Sequence, residues 1–262
     1  MCTVSWAVTP CGYELLCNRD ERRTRRAAHA PTEHTARGVR FLAPTDAEAG
    51  GTWIAANEYG LTLCLLNRYE EGESQAAGEF KSRGLLLPDL MSLRDPAEVM
   101  RAVVRGGPSQ FRPFTLLALA PGATPAAACW TGSRLLVSDD GDLPMPLTSS
   151  SFNTAEVVRA RRELFQRMAA DSTNQQAETL TRFHHSHEPG PGPLSVCMHR
   201  PDASTVSFSR VKVNNGSVEF YYQLGPPCAG ARGVRVSLPR AQGLKTCWQE
   251  VACWNRAGEV VV

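Results

Sequence analysis

Long apolar runs are absent from this sequence of 262 residues. Its longest runs, at 61–66 and 116–120, have the length of a β-strand, whereas a membrane-spanning helix needs about 18 or more apolar residues. The N-terminus also lacks a basic region followed by an apolar stretch, so we predict no secretory signal. We therefore expect a cytoplasmic protein without a membrane span.

An excess of charge of one sign is absent as well. The chain has 28 Lys and Arg residues and 26 Asp and Glu residues, which gives a net charge of +2. A chain so close to neutral is poorly suited to bind the phosphate backbone of a nucleic acid. Its one dense basic patch, at 21–26, is interpreted as a solvated loop. We therefore predict no nucleic-acid partner.

The nine cysteines lack the spacing that would pair them. An odd number without a secretory signal argues against a disulfide framework, and the absence of a CxxC pair argues against a zinc ribbon. Most are expected to pack as small apolar residues, as Cys64 would in a strand-like run. The histidine-rich segment at 184–187 could bind a metal or haem iron, but its surroundings favour a solvated loop, and a structural role is predicted for His199. We predict no metal and no cofactor.

Apolar alternation and turn signals predict several strands. Residues 2–8 and 13–18 alternate and are separated by a turn, which predicts an N-terminal hairpin. An Asn-Gly turn predicts a second hairpin between 205–213 and 217–223. Residues 21–40 are polar without sustained apolar periodicity, and they are expected to form a loop.

Two helices are expected between these groups of strands. One, over 96–105, begins with proline after a capping aspartate, and the other covers 153–170, with Arg161 on its polar face. The order of strands, helices and strands favours a layered α+β fold over an alternating one. We predict a single domain over 1–262, with a peripheral tail from about 225.

Cys2 stands out because of its position. Removal of Met1, which is normal when the second residue is small, would leave Cys2 with a free α-amine beside its thiol. An α-amine has a pKa of roughly 7.7–8.0, so it can accept the thiol proton and serve as a general base. The predicted hairpin returns Arg19 and Asp20 near Cys2, where an arginine would stabilise a thiolate. The residues alone leave a chance cysteine and a surface ion cluster as alternatives.

Several short segments together resemble the NRDE family of transport and Golgi organisation protein 2-like sequences. They are Cys2-Thr3, Asn18-Arg19-Asp20-Glu21, Gly50-Gly51-Thr52-Trp53, Asn57-Glu58-Tyr59-Gly60-Leu61, Leu66-Asn67-Arg68 and Arg83-Gly84-Leu85. The resemblance is specific in the first seventy residues and looser to about residue 213. It implies an N-terminal nucleophile hydrolase fold, a four-layer αββα sandwich.

The resemblance also implies roles for individual residues. Cys2 would be the nucleophile after loss of Met1, Arg19 and Asp20 would set the charge around it, and Asn67 would help to hold the oxyanion. The same resemblance assigns substrate contacts to the residues Asn18, Asn57 and Ser151. The sequence departs from the related hydrolases at 148–152, where hydroxyl side chains stand in place of an asparagine, and at 205–209, which lacks an arginine.

Three functional hypotheses follow. The first is a hydrolase that cleaves the carbon–nitrogen bond of a small-molecule amide. The second is a non-catalytic carrier or trafficking protein for haem or an acyl lipid on the same fold, since fold alone does not decide function. The third is an ordinary α+β domain with a redox-sensitive thiol, which accounts least well for the ordered early motifs.

Overall fold

Two antiparallel β-sheets lie face to face at the centre of the structure, and helices cover the outer face of each. The computed structural model describes residues 2–69, 79–170 and 176–241. Each sheet has one face in the shared apolar core and the other against its helices, which is how a layered domain buries both faces of a sheet. The prediction of an α+β, four-layer αββα sandwich is confirmed.

The strands are numbered along the described part of the chain. They are β1 (Cys2–Thr9), β2 (Gly12–Arg22), β3 (His29–Ala36), β4 (Val39–Thr45), β5 (Ile54–Asn57), β6 (Thr62–Asn67), β7 (Phe114–Leu119), β8 (Ala126–Trp130), β9 (Leu135–Ser138), β10 (Leu147–Ser149), β11 (Ala203–Val213), β12 (Ser217–Leu224) and β13 (Val234–Pro239). The helices are α1 (Leu86–Leu90), α2 (Pro96–Gly106), α3 (Thr154–Ala170) and α4 (Gln176–His185).

The first sheet has the strand order β10–β1–β2–β11–β12–β13. Both hairpins predicted within it, β1–β2 and β11–β12, are confirmed. β2 lies at the middle of the sheet, and residues 12–20 are buried on both faces. This central strand therefore carries side chains into two different layers.

The second sheet has the order β3–β4–β5–β6–β7–β8–β9. The prediction of a loop over 21–40 is wrong, because β3 and β4 form a hairpin there. β3 is an edge strand made mostly of exposed polar residues. A strand of that kind has no apolar face to bury, so its sequence lacks the alternation that identifies strands.

The helices cover the two outer faces. α1 and α2 pack on the second sheet, and α3 and α4 lie on the first. Asp95 caps α2 by accepting a hydrogen bond from Glu98 N at 2.8 Å, as the sequence predicts. None of the described helices is long and apolar enough to cross a membrane.

The predicted tail from residue 225 contributes to the first sheet before it leaves the described part of the chain. A 3-10 turn (Pro227–Ala229) follows β12, and β13 then pairs antiparallel with β12 at the sheet edge. Residues 242–262 lie outside the described residues.

Arg161 of α3 joins the helical layer to the first sheet. The sequence places it on a polar helix face, but its side chain is only 1% exposed. Its guanidinium lies 3.3 Å from Asp20 of β2 and donates to Thr3 Oγ1 of β1 at 2.5 Å. It also donates to Ser195 O at 2.6 Å. The helix therefore faces the sheet with a buried charge that the sheet neutralises.

Replacing Arg161 by alanine is expected to lower the free energy of unfolding by about 3–5 kcal/mol. The substitution removes the cation beside the buried Asp20 carboxylate, and breaking a buried ion pair from one side has a cost of this size. Urea denaturation of Arg161→Ala measures the loss. Arg159→Ala, at an exposed position on the same helix, is the control, and equal losses in the two variants would contradict the assignment.

Candidate active site

Cys2 begins β1 and is flanked by a strand on each side. Its register partners are Ser149 in β10 and Arg19 in β2. Cys2 N donates a hydrogen bond to Ser149 Oγ at 2.9 Å. The hairpin thus brings Arg19 directly opposite Cys2, and the β10 pairing adds a hydroxyl that holds the backbone nitrogen of Cys2.

Three thiols meet between the two sheets, with Cys2 and Cys17 from the first sheet and Cys64 from β6 of the second. Cys2, Cys17 and Cys64 all belong to the core between the sheets, and the Sγ atoms of Cys17 and Cys64 are 3.9 Å apart. The neighbouring Cys17 thiol and burial raise the pKa of Cys2, while the charge of Arg19 acts in the opposite direction. The Cys2 thiol is therefore neutral near pH 7, and a base has to remove its proton before the sulfur can attack.

Arg19 is fixed by an acid and by an aromatic ring. Its Nη2 lies 2.6 Å from Asp46 Oδ2, and its guanidinium carbon lies 4.3 Å from the centre of the Trp53 ring. Burial acts to raise the pKa of Asp46, but the hydrogen bond from Arg25, together with the Ala49 N–H and the charge of Arg19, holds that pKa below its usual value. Asp46 is therefore ionised at neutral pH and keeps Arg19 at its position beside the thiols.

Two glycines of the family-like motifs pack backbone against backbone. A Cβ on Gly51 would lie 2.5 Å from the carbonyl carbon of Gly84, so a side chain there would force the two segments apart. The Thr52 N–H donates to Gly84 O at 3.0 Å and closes the contact. This contact links the position of Trp53 to that of Arg83, although 29 residues of chain separate them.

Arg83 is a site residue to which the sequence analysis assigns no role. It opens a 3-10 turn (Arg83–Leu85), and its Nη1 donates to Pro113 O at 2.9 Å. Burial lowers the pKa of Arg83, and Cys2 is among the groups that oppose this shift. In the sequence, the Arg83-Gly84 step is the feature that could have drawn attention to Arg83.

Asn18 and Asp20 lie on the other face of β2, toward the helices. Asp20 Oδ1 accepts a hydrogen bond from Thr205 Oγ1 there at 2.7 Å. Side chains alternate along a strand, so Arg19 and its two sequence neighbours cannot share one face. The structure brings Arg19 to the face that carries the Cys2 thiol, and it places Asn18 and Asp20 behind that face.

The prediction that residues 184–187 form a solvated loop is wrong for His184, which is fully buried near the end of α4. Asn18 Nδ2 donates to the carbonyls of His184 and Val196, both at 2.9 Å. Asn18 Oδ1 must therefore accept, at 3.1 Å, from His184 Nδ1. His184 Nε2 is left to accept from Ser5 Oγ at 2.9 Å. Because the Asn18 amide is engaged inside the protein, its predicted substrate contact is replaced by a structural role.

The buried His184 predicts a loss of stability in mild acid. Burial, reinforced by the neighbouring His185, lowers the pKa of His184 from 6.5 to about 3. The unfolded chain therefore binds a proton below pH 6.5 that the folded chain accepts only near pH 3. Stability is full above pH 6.5 and falls by up to about 1.4 kcal/mol per pH unit between these values.

Urea denaturation from pH 7 to pH 4 measures this slope. His184→Gln is expected to flatten it, whereas His29→Gln, at an exposed position, controls for the removal of one histidine. An unchanged slope in His184→Gln would show that other groups cause the acid sensitivity.

The amide of Asn57 is also fully engaged in structure. Its Nδ2 donates to the carbonyls of Met91 and Leu93 at 2.9 and 2.8 Å. Its Oδ1 accepts from the backbone nitrogens of Tyr59 and Leu61. Asn57 has no hydrogen-bonding position left for a substrate, so the predicted substrate contact is replaced by a role in fixing the turn after β5.

Asn67 and Ser151 are two further predicted site residues. Asn67 is half-buried at the end of β6 and donates through Nδ2 to Tyr69 Oη at 3.0 Å. Ser151 is exposed, whereas Ser149, two residues earlier, binds the backbone nitrogen of Cys2. The roles of Asn67 and Ser151 stay predictions. The run of hydroxyl residues at 148–151 was the signal for Ser149.

A cavity of about 100 Å³ opens beside Arg19. Its lining includes the charged residues Glu21 and Arg25 and the apolar side chains of Val206, Tyr222 and Leu224. A larger cavity of about 580 Å³ lies on the outer face of the first sheet, between α4 and β11–β13. The larger cavity is therefore separated by the sheet from the Cys2 thiol.

A protein-family model described as Transport and Golgi organisation 2 matches residues 1–201. The chain belongs to the Transport and Golgi organisation 2 family. The match covers Cys2, the NRDE segment and all the other motifs that carried the resemblance in the sequence. No curated protein matches the chain.

Solved structures of three N-terminal nucleophile hydrolases are similar to this chain in fold. Penicillin V acylase from Agrobacterium tumefaciens has a TM-score of 0.52 at 11% identity, over 85% of this chain and 82% of that chain. The C2A mutant of a conjugated bile acid hydrolase from Clostridium perfringens has a TM-score of 0.51 at 12% identity, over 91% and 92%. An N-acylethanolamine-hydrolyzing acid amidase ortholog from Caenorhabditis elegans has a TM-score of 0.51 at 10% identity, over 80% and 92%. At these identities the likeness establishes the fold.

Proposed function

We propose that this protein is an N-terminal cysteine hydrolase that cleaves the carbon–nitrogen bond of a small-molecule amide after removal of Met1. One observation carries the proposal. Cys2 starts a central strand with its backbone nitrogen 2.9 Å from Ser149 Oγ and with Arg19 directly opposite. Once Met1 is removed, that nitrogen becomes the α-amine, and a hydroxyl already holds it beside the thiol.

The proposed reaction uses the α-amine of Cys2 as the base. With a pKa of roughly 7.7–8.0, the amine accepts the thiol proton, and the sulfur forms a bond to the amide carbonyl carbon. The carbon–nitrogen bond then breaks, and the α-ammonium returns its proton to the leaving amine. Water attacks the resulting thioester, releases the acid and regenerates the thiol.

Removal of Met1 would also change the charge around the thiol. Cys17 and burial raise the pKa of Cys2 in the full-length chain. An α-ammonium on Cys2 itself would lie closer to the sulfur than the α-ammonium of Met1 does. It would therefore favour the thiolate, as any adjacent cation does. Maturation would thus convert an inert buried thiol into a nucleophile.

Other residues are assigned supporting roles. The Ser149 hydroxyl would orient the amine, and Arg19, held by Asp46, would favour the thiolate. Asn67 Nδ2 uses one of its two N–H groups on Tyr69, which leaves the other for an oxyanion. Asp20 would act by fixing β2 from the helix-facing side.

The surroundings of Cys2 favour a small substrate with a negatively charged or polar group near its amide. Arg19, directly opposite Cys2, lines the cavity of about 100 Å³ together with Arg25 and Arg26. Trp53 Nε1 is buried without a hydrogen-bond partner among the described residues, and a buried donor left unpaired costs about 1–3 kcal/mol. A polar substrate atom would satisfy this donor.

A cytoplasmic setting fits this chemistry. The seven cysteines within the described residues are all free thiols. A reducing compartment keeps thiols in this state, and a cysteine nucleophile has to be a free thiol.

Intact-mass spectrometry with a β-lactone probe tests the nucleophile. Purified protein is expected to lack Met1 and to gain one probe adduct, which peptide mapping assigns to Cys2. Cys2→Ala should lose the adduct and keep its melting temperature, and Cys11→Ser, at an exposed cysteine, should keep the adduct. Retained Met1, or labelling that persists in Cys2→Ala, would rule the proposal out and favour the carrier hypothesis.

Ser149→Ala is expected to slow labelling of Cys2 by about tenfold. A hydrogen bond to the amine contributes about 1.4 kcal/mol or somewhat less, and its loss lets the amine rotate away from the thiol. Rates of adduct formation across pH 6–9 measure the effect. Ser138→Ala, at an exposed position in β9, should react at the rate of the unmodified protein. A rate in Ser149→Ala equal to that control would remove Ser149 from the site.

A further inference from the structure

Two histidines and two cysteines converge at a surface position on the helix-facing side of the first sheet. His187, Cys197 and His199 belong to the connection between α4 and β11, and Cys228 lies in the 3-10 turn after β12. One ligand atom from each side chain lies within 4.8 Å of each of the others. We name these four residues the histidine–cysteine cluster.

The three distances from His199 within the histidine–cysteine cluster match those between tetrahedral ligands of one small ion. His199 Nε2 lies 3.2 Å from His187 Nε2, 3.5 Å from Cys197 Sγ and 3.4 Å from Cys228 Sγ. Zinc bonds of about 2.05 Å to nitrogen and 2.3 Å to sulfur give ligand separations of about 3.4 Å between nitrogens and 3.6 Å between nitrogen and sulfur. The observed separations agree with both values.

The geometry points to a structural zinc site, and we propose that the histidine–cysteine cluster binds one Zn²⁺. A tetrahedral set of two sulfurs and two imidazole nitrogens is typical of zinc among the common metal ions. All four positions are supplied by the protein, so no position is open for a substrate or a catalytic water. The proposal is independent of the chemistry proposed for Cys2.

Zinc would tie a long irregular segment to the sheet. Residues 186–202 contain no helix or strand, and hydrogen bonds such as those from Met198 N to Thr205 Oγ1 at 2.8 Å and from Asn18 Nδ2 to Val196 O at 2.9 Å join them to the sheet. A metal bridge from Cys197 and His199 to Cys228 would connect this segment to the end of β12. Because the unfolded chain does not hold these ligands together, the binding free energy would add to the stability of the fold.

Metal analysis of the purified full-length protein tests the site. Inductively coupled plasma mass spectrometry is expected to find about one zinc per chain, and the zinc content of Cys228→Ser and of His199→Asn should fall by about tenfold or more, because each variant loses one of four ligands. Cys11→Ser, at an exposed cysteine outside the cluster, should keep its zinc. Absence of zinc, another bound metal, or full zinc content in Cys228→Ser would overturn the proposal.

Cobalt substitution identifies the ligands without a change of sequence. Co²⁺ added to chelator-treated wild-type protein is expected to give a thiolate-to-cobalt charge-transfer band together with the visible bands of a tetrahedral ion. Zinc should then displace both. A cobalt spectrum without thiolate bands, or a Cys197–Cys228 disulfide in the non-reduced protein, would contradict the site even where a variant fails to fold.

Discussion

The alternation of side chains along β2 is the constraint on which the whole site depends. β2 lies at the centre of the first sheet with both faces buried, so each residue needs a partner in its own layer. Arg19 enters the space between the sheets, beside Cys2, while Asn18 and Asp20 enter the helical layer. A slip of one residue would place a carboxylate among the thiols and an arginine against the helices. The buried partners on both sides hold the register against that slip.

The helical layer contacts the start of β1, where Cys2 lies. Arg161 binds Asp20 on β2 and Thr3 on β1, the residue directly after Cys2. A buried charge with several partners tolerates little displacement, because each lost contact leaves a desolvated group behind. The position of the Cys2 nitrogen relative to Ser149 is therefore set from both sides of the sheet. This gives Asp20 a positioning role that does not require its carboxylate to touch the thiol.

Local patterns in the sequence predicted the hairpins, the capped helix and the layered fold, because alternation and turns are properties of neighbouring residues. The polar edge strand β3 carried no such pattern. Contacts between residues distant in the sequence could not be predicted from local patterns either. In the sequence, Arg161 is one of several polar residues of its helix. The residues around Ser149 do not show that Ser149, rather than Ser151, contacts Cys2. The family resemblance predicted roles for Cys2, Arg19 and Asn57 alike, and it could not show that the Asn57 amide is hydrogen-bonded to the backbone.

The histidine–cysteine cluster could not be predicted for the same reason, since 28 residues separate His199 from Cys228 and no CxxC pair marks the ligands. Its position connects it to the first sheet. Met198, between two of its ligands, donates to Thr205 Oγ1, which in turn donates to Asp20. An ion bound there would restrain the segment that supports Asp20, and Asp20 adjoins Arg19 in β2. A metal that takes no part in the chemistry would thereby help to keep the strand that faces Cys2 in register.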